Sequence, residues 1–253
     1  MYRAVEKQTS IGFLDQFNIA DKGKPLSMTT FVPGETFRGM TLADRETYWK
    51  LKAMDVANKW KSIPYFDNEC TTENCRLVLE LDKKTSKFEH DRIGKMMNDV
   101  ELIVEKVNET FDSGDGLFLY AHVLSRPPSF DGKKRVWKYG LHIVFPSTVV
   151  SLNTGMCFSK NVAKIFPEEG EGYVDGVYSK GLARLRPAYA RKKCQGPGEQ
   201  YPHGSSYYTY FASFDKGGLY QDKALNNAYT ILRETSLIPL NDAKKSKKRK
   251  RRS

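Results

Sequence analysis

A short apolar run, with one acidic residue near its end and a second directly after it, limits the fold of this chain most. Residues 75–81 read CRLVLEL, a length and composition typical of a buried strand. Because side chains alternate along a strand, Glu80 and Asp82 face one side, while Leu79 and Leu81 face the other. The run therefore predicts a sheet with one apolar face and one face that carries a pair of carboxylates.

Helical and strand patterns interleave irregularly along the chain, which predicts an α+β fold. The first 40 residues are interpreted as loops with one short strand. Helices are predicted at residues 41–60, 88–111, 158–166 and 222–235. Strands are predicted at residues 75–81, 117–124, 135–146, 182–186 and 206–214. A loop with two prolines, residues 125–134, is expected to join two of these strands as a hairpin.

Composition favours one folded body with a basic tail. The chain has 253 residues, and 40% of them are apolar, which is enough to bury a core. Residues 243–253 contain eight Lys or Arg and no acid, so the net charge of +11 falls to +3 without them. We expect a folded domain at residues 1–242 and a disordered tail that directs nuclear import or binds nucleic acid. A solubilising end, or the start of a linker to a helicase domain, stays open.

Membrane insertion and a structural zinc are not expected. The sequence has no run of 18 apolar residues, and its first residues lack an apolar signal core. The cysteines form no CxxC pair, so we expect reduced thiols. Cys194 and His203 supply two ligands where a tetrahedral zinc needs four, and Cys70 and Cys75 flank an acidic loop.

The carboxylate pair at Glu80 and Asp82 is the first candidate site. Two carboxylates on one face of an apolar strand repel each other and are costly to desolvate. A divalent cation such as Mg²⁺ removes that cost, because it binds one or two carboxylates together with substrate phosphates. The alternative is a strand end that enters solvent, where Lys83 and Lys84 neutralise the acids.

A second candidate site is the sequence KYGLH at residues 138–142. On a strand, Lys138, Gly140 and His142 share one face. A Lys binds phosphate as a point charge, a Gly allows close approach of a ligand, and a His can donate to a phosphate oxygen. The alternative is a half-buried His142 that bonds to a backbone carbonyl.

A third candidate is the segment 173–193, where Asp175 precedes a basic stretch. Six basic side chains follow it: Lys180, Arg184, Arg186, Arg191, Lys192 and Lys193. Tyr178 and Tyr189 lie among them. Basic and aromatic side chains together suit phosphate contact and base stacking. The alternative is a solvated basic face.

The three segments in this order resemble the archaeo-eukaryotic primase superfamily. The similarity is strongest to its primase-polymerase branch, which includes the primases of herpesviruses and of large nucleocytoplasmic DNA viruses. WKYGLHIVFP and VDGVYSK…LRPAYARK are the most specific pieces, and the resemblance spans residues 75–193, just under half of the chain. It implies a primase-like catalytic core, in which an N-terminal α/β unit adjoins an RRM-like sheet unit.

The resemblance also implies roles for individual residues. Glu80, Asp82 and Asp175 would be catalytic and would hold two Mg²⁺ or Mn²⁺ ions. The residues expected to bind nucleotide are Lys138, Gly140, His142, Arg186 and Lys192. Those expected to bind nucleic acid are Lys180, Arg184, Arg191 and Lys193. The sequence departs from the family in two places, because Glu80 stands where Asp is usual and Gly140 where Ser is frequent.

These roles predict a DNA-templated primase or polymerase that acts in replication or damage tolerance by two-metal phosphoryl transfer. Expected partners are single-stranded DNA, nucleoside triphosphates and a replicative helicase, in the nucleus or at a viral replication site. The alternative is a non-catalytic module that binds single-stranded nucleic acid. A replication-initiator nuclease is less consistent with the sequence, because such enzymes need paired histidines on one strand. The histidines here are scattered: His90, His122, His142 and His203.

Overall fold

The computed structural model describes ten stretches of the chain. These are residues 10–17, 26–30, 36–58, 67–112, 116–175, 177–179, 181–190, 199–200, 207–240 and 247–248. The α-helices are α1 Ser10–Leu14, α2 Leu42–Ala57, α3 Arg92–Thr110, α4 Leu152–Ala163 and α5 Ala228–Glu234. Asp15–Phe17 and Pro167–Glu169 form short 3-10 helices. Helices and antiparallel sheets thus occur together, which confirms the α+β prediction.

Fourteen strands are present in the described stretches, and they form three sheets. They are β1 Leu26–Thr30, β2 Thr36–Arg38, β3 Asp67–Thr71, β4 Cys75–Thr85, β5 Phe111–Asp112, β6 Ala121–Asp131, β7 Val136–Val150, β8 Val174–Asp175, β9 Tyr178–Ser179, β10 Leu182–Leu185, β11 Glu199–Gln200, β12 Thr209–Asp215, β13 Gly218–Tyr220 and β14 Lys247–Lys248. The main sheet has the order β13-β12-β6-β7-β4-β8, with β11 paired to β6. A second sheet has the order β2-β1-β3-β10-β9, and β14 pairs with β5.

The main sheet separates two hydrophobic cores. On one face, Leu79, Leu81 and Ile143 pack in a core with the apolar side of α3. That helix buries residues at three- and four-residue spacing, as its sequence pattern predicts: Met96, Val100, Ile103, Val104 and Val107. On the other face, Leu124 packs in a smaller core with Trp49 of α2. The carboxylate-bearing side of β4 therefore faces the second core.

Helix α2 lies close to its predicted bounds, and a cap at its first turn explains where it begins. The Thr41 hydroxyl accepts a hydrogen bond from the Asp44 backbone N–H, and the Asp44 carboxylate accepts from the Thr41 backbone N–H. This reciprocal pair satisfies two backbone donors at the helix start. None of the described helices is long and apolar enough to cross a membrane.

The predicted loop at residues 125–134 is the main error in the secondary structure. Strand β6 continues through Pro127 and Pro128 to Asp131, and only a short turn joins it to β7. The register of the hairpin shifts between Arg126 and Ser129, which inserts one extra residue in β6 at the two prolines. Prolines lack an N–H for a ladder but are tolerated at a bulge, so the strand survives them.

Other bounds also differ from the predictions. The first 40 residues contain two strands and a short helix among their described parts, not a single strand. Helix α4 begins six residues earlier than predicted, because the Ser151 hydroxyl accepts from the Thr154 backbone N–H and caps its first turn. Helix α5 begins later than predicted, after a similar cap by Asn227. The predicted basic tail lies outside the described residues except for Lys247–Lys248, so its disorder stays a prediction.

A buried histidine in the main sheet leads to a prediction about pH. His122 and Ser213 are directly opposed on β6 and β12, and the His122 Nδ1 lies 2.7 Å from the Ser213 hydroxyl, which also bonds to Tyr210. Burial lowers the pKa of His122 to about 4, whereas an unfolded chain has a His pKa of about 6.5. At a pH between these two pKa values, His122 is protonated in the unfolded chain but neutral in the native chain.

The free energy of unfolding should therefore be highest above pH 6.5 and fall as the pH decreases towards 4, by up to about 3 kcal/mol from this group. Urea unfolding at pH 7 and pH 4.5 measures the effect. His122→Gln keeps a hydrogen-bonding side chain that does not titrate, so it should lose less stability between the two pH values. An equal loss in both proteins would exclude His122 as the cause.

Candidate active site

Four adjacent strands of the main sheet align three polar side chains in one row. Asp175 on β8 lies opposite Glu80 on β4, and Glu80 lies opposite His142 on β7. Directly opposed residues point to the same face, with Cβ atoms about 4.5–5.5 Å apart. The row continues to Leu124 on β6, which belongs to the second core. Two carboxylates and an imidazole thus lie side by side at the edge of that core.

A second row lies two residues further along the strands. Asp82 on β4 lies opposite Gly140 on β7, and Gly140 lies opposite Arg126 on β6. A Cβ atom at Gly140 would lie 2.6 Å from the Tyr208 hydroxyl oxygen and 2.9 Å from both the Arg126 Nε and the Asp82 Oδ1. Real Cβ atoms do not approach so closely. Glycine is therefore needed at this position, because three polar side chains converge over it.

Electrostatic interactions keep Glu80 ionised. Burial alone raises the pKa of Glu80, but its electrostatic interaction and hydrogen bond with His142 and the charges of Arg186 and Arg126 outweigh it, so the pKa of Glu80 lies below the ordinary value. The His142 Nε2 lies 2.8 Å from the Glu80 Oε1. The Glu80 side chain is 23% exposed and that of Asp82 41%, whereas that of His142 is 2% exposed. Both carboxylates therefore reach solvent above a buried imidazole.

Arg126 also belongs to the candidate site, although no sequence pattern marks it. Its Nε donates to the Tyr208 hydroxyl at 3.3 Å, its Nη1 donates to the Ser129 hydroxyl at 3.0 Å, and its Nη2 lies 3.8 Å from the Asp82 Oδ1. The side chain is almost fully buried. It precedes two prolines in the segment predicted as a loop, and only the register with Gly140 shows which face it occupies.

Tyr208 is the second residue that the sequence analysis missed. Its ring stacks on that of His142 with centroids 3.6 Å apart and an interplanar angle of 24°. The guanidinium carbons of Arg126 and Arg186 each lie 5.9 Å from the Tyr208 ring centroid. Burial raises the pKa of Tyr208, so its phenol stays protonated at neutral pH. No sequence motif marks this position, which follows a stretch outside the described residues.

Comparison with known proteins identifies the family. The family model of the C962R protein N-terminal AEP domain, where AEP denotes archaeo-eukaryotic primase, matches residues 41–171, just over half of the chain. The chain belongs to this AEP family. A search of curated proteins found no match. Membership supports a primase-like role in nucleotidyl transfer and replication.

The matched region covers only part of the AEP site. It includes β4 and the β6–β7 hairpin, and with them Glu80, Asp82, Arg126, Gly140 and His142. The match ends before β8. Three other residues of the site follow the matched region: Asp175, Arg186 and Tyr208. The family match does not include these three residues, so their closeness to the matched residues is seen only in the structure of this chain.

Other residues selected from the sequence lie further from the two rows. Lys138 lies on β7 two residues before Gly140, nearer the hairpin turn. Its Nζ lies 2.7 Å from the Asp131 Oδ2. Arg184 is exposed on β10 of the second sheet. Four selected residues lie outside the described stretches: Lys180, Arg191, Lys192 and Lys193.

The basic and aromatic pattern of segment 173–193 predicts that Tyr178 stacks on a base, and the structure contradicts this prediction. Its side chain is buried, and its hydroxyl accepts from the Val78 backbone N–H and donates to the Arg76 carbonyl. A Cβ at Gly155 of α4 would lie only 2.5 Å from the Tyr178 ring, which shows how closely the ring packs. Tyr178 therefore holds α4 against the sheet. The alternation of basic and aromatic residues in the sequence does not reveal which of them are buried.

The donor set of the AEP site fits a hard divalent cation. Glu80, Asp82 and Asp175 supply carboxylate oxygens, the donors that Mg²⁺ and Mn²⁺ prefer. No group of three or more His, Cys, Asp and Glu side chains in the described stretches is gathered closely enough to hold a metal ion. Glu80 is turned towards His142. The backbone register thus places the donors together, and coordination requires their side chains to rotate towards one another.

The described cysteines Cys70 and Cys75 are buried in the fold. They are not joined in a disulfide. Burial raises the pKa of Cys75 to about 12, so this thiol is unreactive at neutral pH. Cys194 and His203 lie outside the described residues. The expectation that these residues hold no structural zinc stays a prediction.

Proposed function

We propose that this chain is a DNA-templated primase-polymerase, an enzyme of the branch that includes herpesvirus and large DNA virus primases. One observation carries the proposal: Asp175, Glu80 and His142 lie in one row across three strands, next to a row that contains Asp82. Such a grouping combines carboxylates for cations with an imidazole for a phosphate. A nucleic-acid-binding module has no need of three carboxylates on its ligand face, because they repel phosphates.

Each residue of the site has a distinct proposed role. Glu80, Asp82 and Asp175 would hold two Mg²⁺ or Mn²⁺ ions, which activate the attacking hydroxyl and stabilise the pyrophosphate leaving group. His142 and Arg186 would position the triphosphate, and Lys138 and Lys192 are proposed to assist them. The His142 Nδ1 is buried and has no hydrogen-bond partner among the described residues, so it can bond to a ligand.

The nucleic acid would bind beside this site. Arg184 is exposed and available for phosphate contact, and Lys180, Arg191 and Lys193 are proposed to extend that surface. The basic tail would increase the affinity for nucleic acid without sequence preference. It would also direct the protein to the nucleus or to a viral replication site. A helicase is the proposed further partner, because primer synthesis needs an unwound template.

Incorporation of labelled nucleotides on a single-stranded DNA template tests the function. The assay is run with Mg²⁺, with Mn²⁺ and with a chelator, each with and without a primer. We expect incorporation that depends on the metal, and the unprimed reaction separates chain initiation from extension. Template binding without incorporation under all conditions would instead support the alternative, a non-catalytic module that binds single strands.

His142→Ala should weaken nucleotide binding more than template binding. A hydrogen bond to a charged group contributes about 1.5–3 kcal/mol, so the KM for the nucleotide should rise roughly 10- to 100-fold. Nucleotide titrations under primer extension and template binding by anisotropy measure the two effects. His90→Ala, at an exposed position, is the matched control and should change neither. Equal losses of nucleotide and template affinity would contradict a specific role in nucleotide binding.

A further inference from the structure

The hydroxyl of Tyr208 occupies the space above Gly140. A Cβ at Gly140 would lie 2.6 Å from this oxygen, so the phenol fills the volume that any side chain at position 140 would need. The same point lies 2.9 Å from the Asp82 Oδ1. Tyr208 precedes β12 and comes from the opposite end of the chain from β4. The Tyr208 hydroxyl thus lies over the backbone of Gly140, close to Asp82, which is a proposed metal ligand.

The hydrogen bonding of this phenol is incomplete. The Tyr208 oxygen accepts from the Arg126 Nε, but its own O–H has no acceptor among the residues that the structure describes. Buried Tyr hydroxyls usually find an acceptor, because an unmade hydrogen bond at a buried group is costly. The side chain is 3% exposed, yet its hydroxyl is close to Asp82, whose carboxylate reaches solvent. An acceptor that enters the site from solvent would complete the network.

The surrounding charges indicate that this acceptor is an anion. Two guanidinium groups lie over the Tyr208 ring, those of Arg126 and Arg186. His142 stacks against the ring, and its Nδ1 lacks a partner in the described parts of the chain. Two guanidinium groups and an imidazole therefore surround one O–H donor. Phosphate oxygens are acceptors that match such a set of donors.

We propose that Tyr208 binds the incoming nucleotide, donating its O–H to a phosphate oxygen while its ring fixes the imidazole of His142. This rests on the proposed function. It also accounts for Gly140, because the Tyr208 hydroxyl takes the place that a side chain at position 140 would need. A side chain at position 140 and the phenol at position 208 exclude each other, so the two positions should be energetically coupled.

A double-mutant cycle on Gly140 and Tyr208 tests the coupling. Tyr208→Phe should weaken the binding of a labelled, non-hydrolysable nucleoside triphosphate about 10-fold. In primer extension with the natural nucleotide, the same variant should raise the KM for that nucleotide with little change in kcat. Gly140→Ser alone should weaken binding at least as much, because the new side chain meets the phenol. The double variant should bind more tightly than Gly140→Ser, since the phenol oxygen is gone and a hydroxyl is restored from position 140.

Two further measurements separate a binding role from a structural one. Tyr207→Phe removes the neighbouring hydroxyl and should leave nucleotide affinity unchanged. The melting temperature and template affinity of Tyr208→Phe should equal those of the wild type. Wild-type nucleotide affinity in Tyr208→Phe would overturn the inference and leave the proposed function intact, as would a parallel loss of stability, template and nucleotide binding. A wild-type chain that neither binds nor incorporates nucleotides would overturn both.

Discussion

Asp82→Asn should reduce nucleotide incorporation by at least about 100-fold and leave the fold unchanged. Removing a single electrostatic contributor from an active site typically costs 10²–10³ in kcat, and a metal ligand is such a contributor. The substitution keeps the shape of the side chain and removes its negative charge. Because the Asp82 side chain is 41% exposed and supports neither core, its loss should not unfold the protein. Single-turnover incorporation with saturating nucleotide measures the effect.

Glu105→Gln is the matched control for this prediction. Glu105 is exposed on α3, which packs on the opposite face of the sheet from the carboxylate rows, so neutralising it changes the net charge equally without touching the site. Its activity should match that of the wild type. An Asp82→Asn protein that retains activity within a few-fold of the control would show that Asp82 holds no essential metal.

Truncation after Asp242 should strongly reduce the salt dependence of DNA binding. The deleted segment carries eight of the eleven net positive charges. Each neutralised phosphate contributes about −0.7 to the slope of log affinity against log salt on single strands, and about −0.9 on duplexes. The tail thus accounts for a slope of up to roughly −6 on single strands. Binding isotherms at several salt concentrations measure the slope for both forms.

Incorporation at low salt should survive this truncation, because the two rows of the site lie entirely before residue 241. A full-length variant whose tail has Gln in place of every Lys and Arg separates charge from length, and should behave like the truncated form. An unchanged slope would exclude the tail from DNA binding and favour a role in nuclear import. Loss of incorporation would show that the folded domain extends beyond Asp242.

Alternation along a strand was sufficient to predict part of the site. It placed Glu80 and Asp82 on one face of β4, and Gly140 and His142 on one face of β7, and the register of the sheet bears out both. These are local properties of single strands. The position of Asp175 was different in kind. Only the order of motifs suggested it, because opposition between β8 and β4 is a contact across almost 100 residues.

The missed residues show where local patterns fail. Arg126 precedes two prolines, which usually indicate a loop, and the bulge that keeps β6 intact depends on pairing with β7. Tyr208 stacks on His142 across more than 60 residues, and nothing near it in the sequence marks a site. Tyr178 was misassigned for the same reason. Whether an aromatic side chain packs in the core or faces a ligand depends on which elements pack around it.

The most direct test of the two-metal site is a crystal of the protein soaked with Mn²⁺ and a non-hydrolysable nucleoside triphosphate, measured by anomalous diffraction. The proposed mechanism predicts Mn²⁺ peaks bonded to carboxylate oxygens of Glu80, Asp82 and Asp175. It also predicts that the triphosphate lies beside His142, and that the Glu80 side chain has turned away from His142. Bound nucleotide with no Mn²⁺ at these carboxylates, and Glu80 still paired with His142, would contradict it.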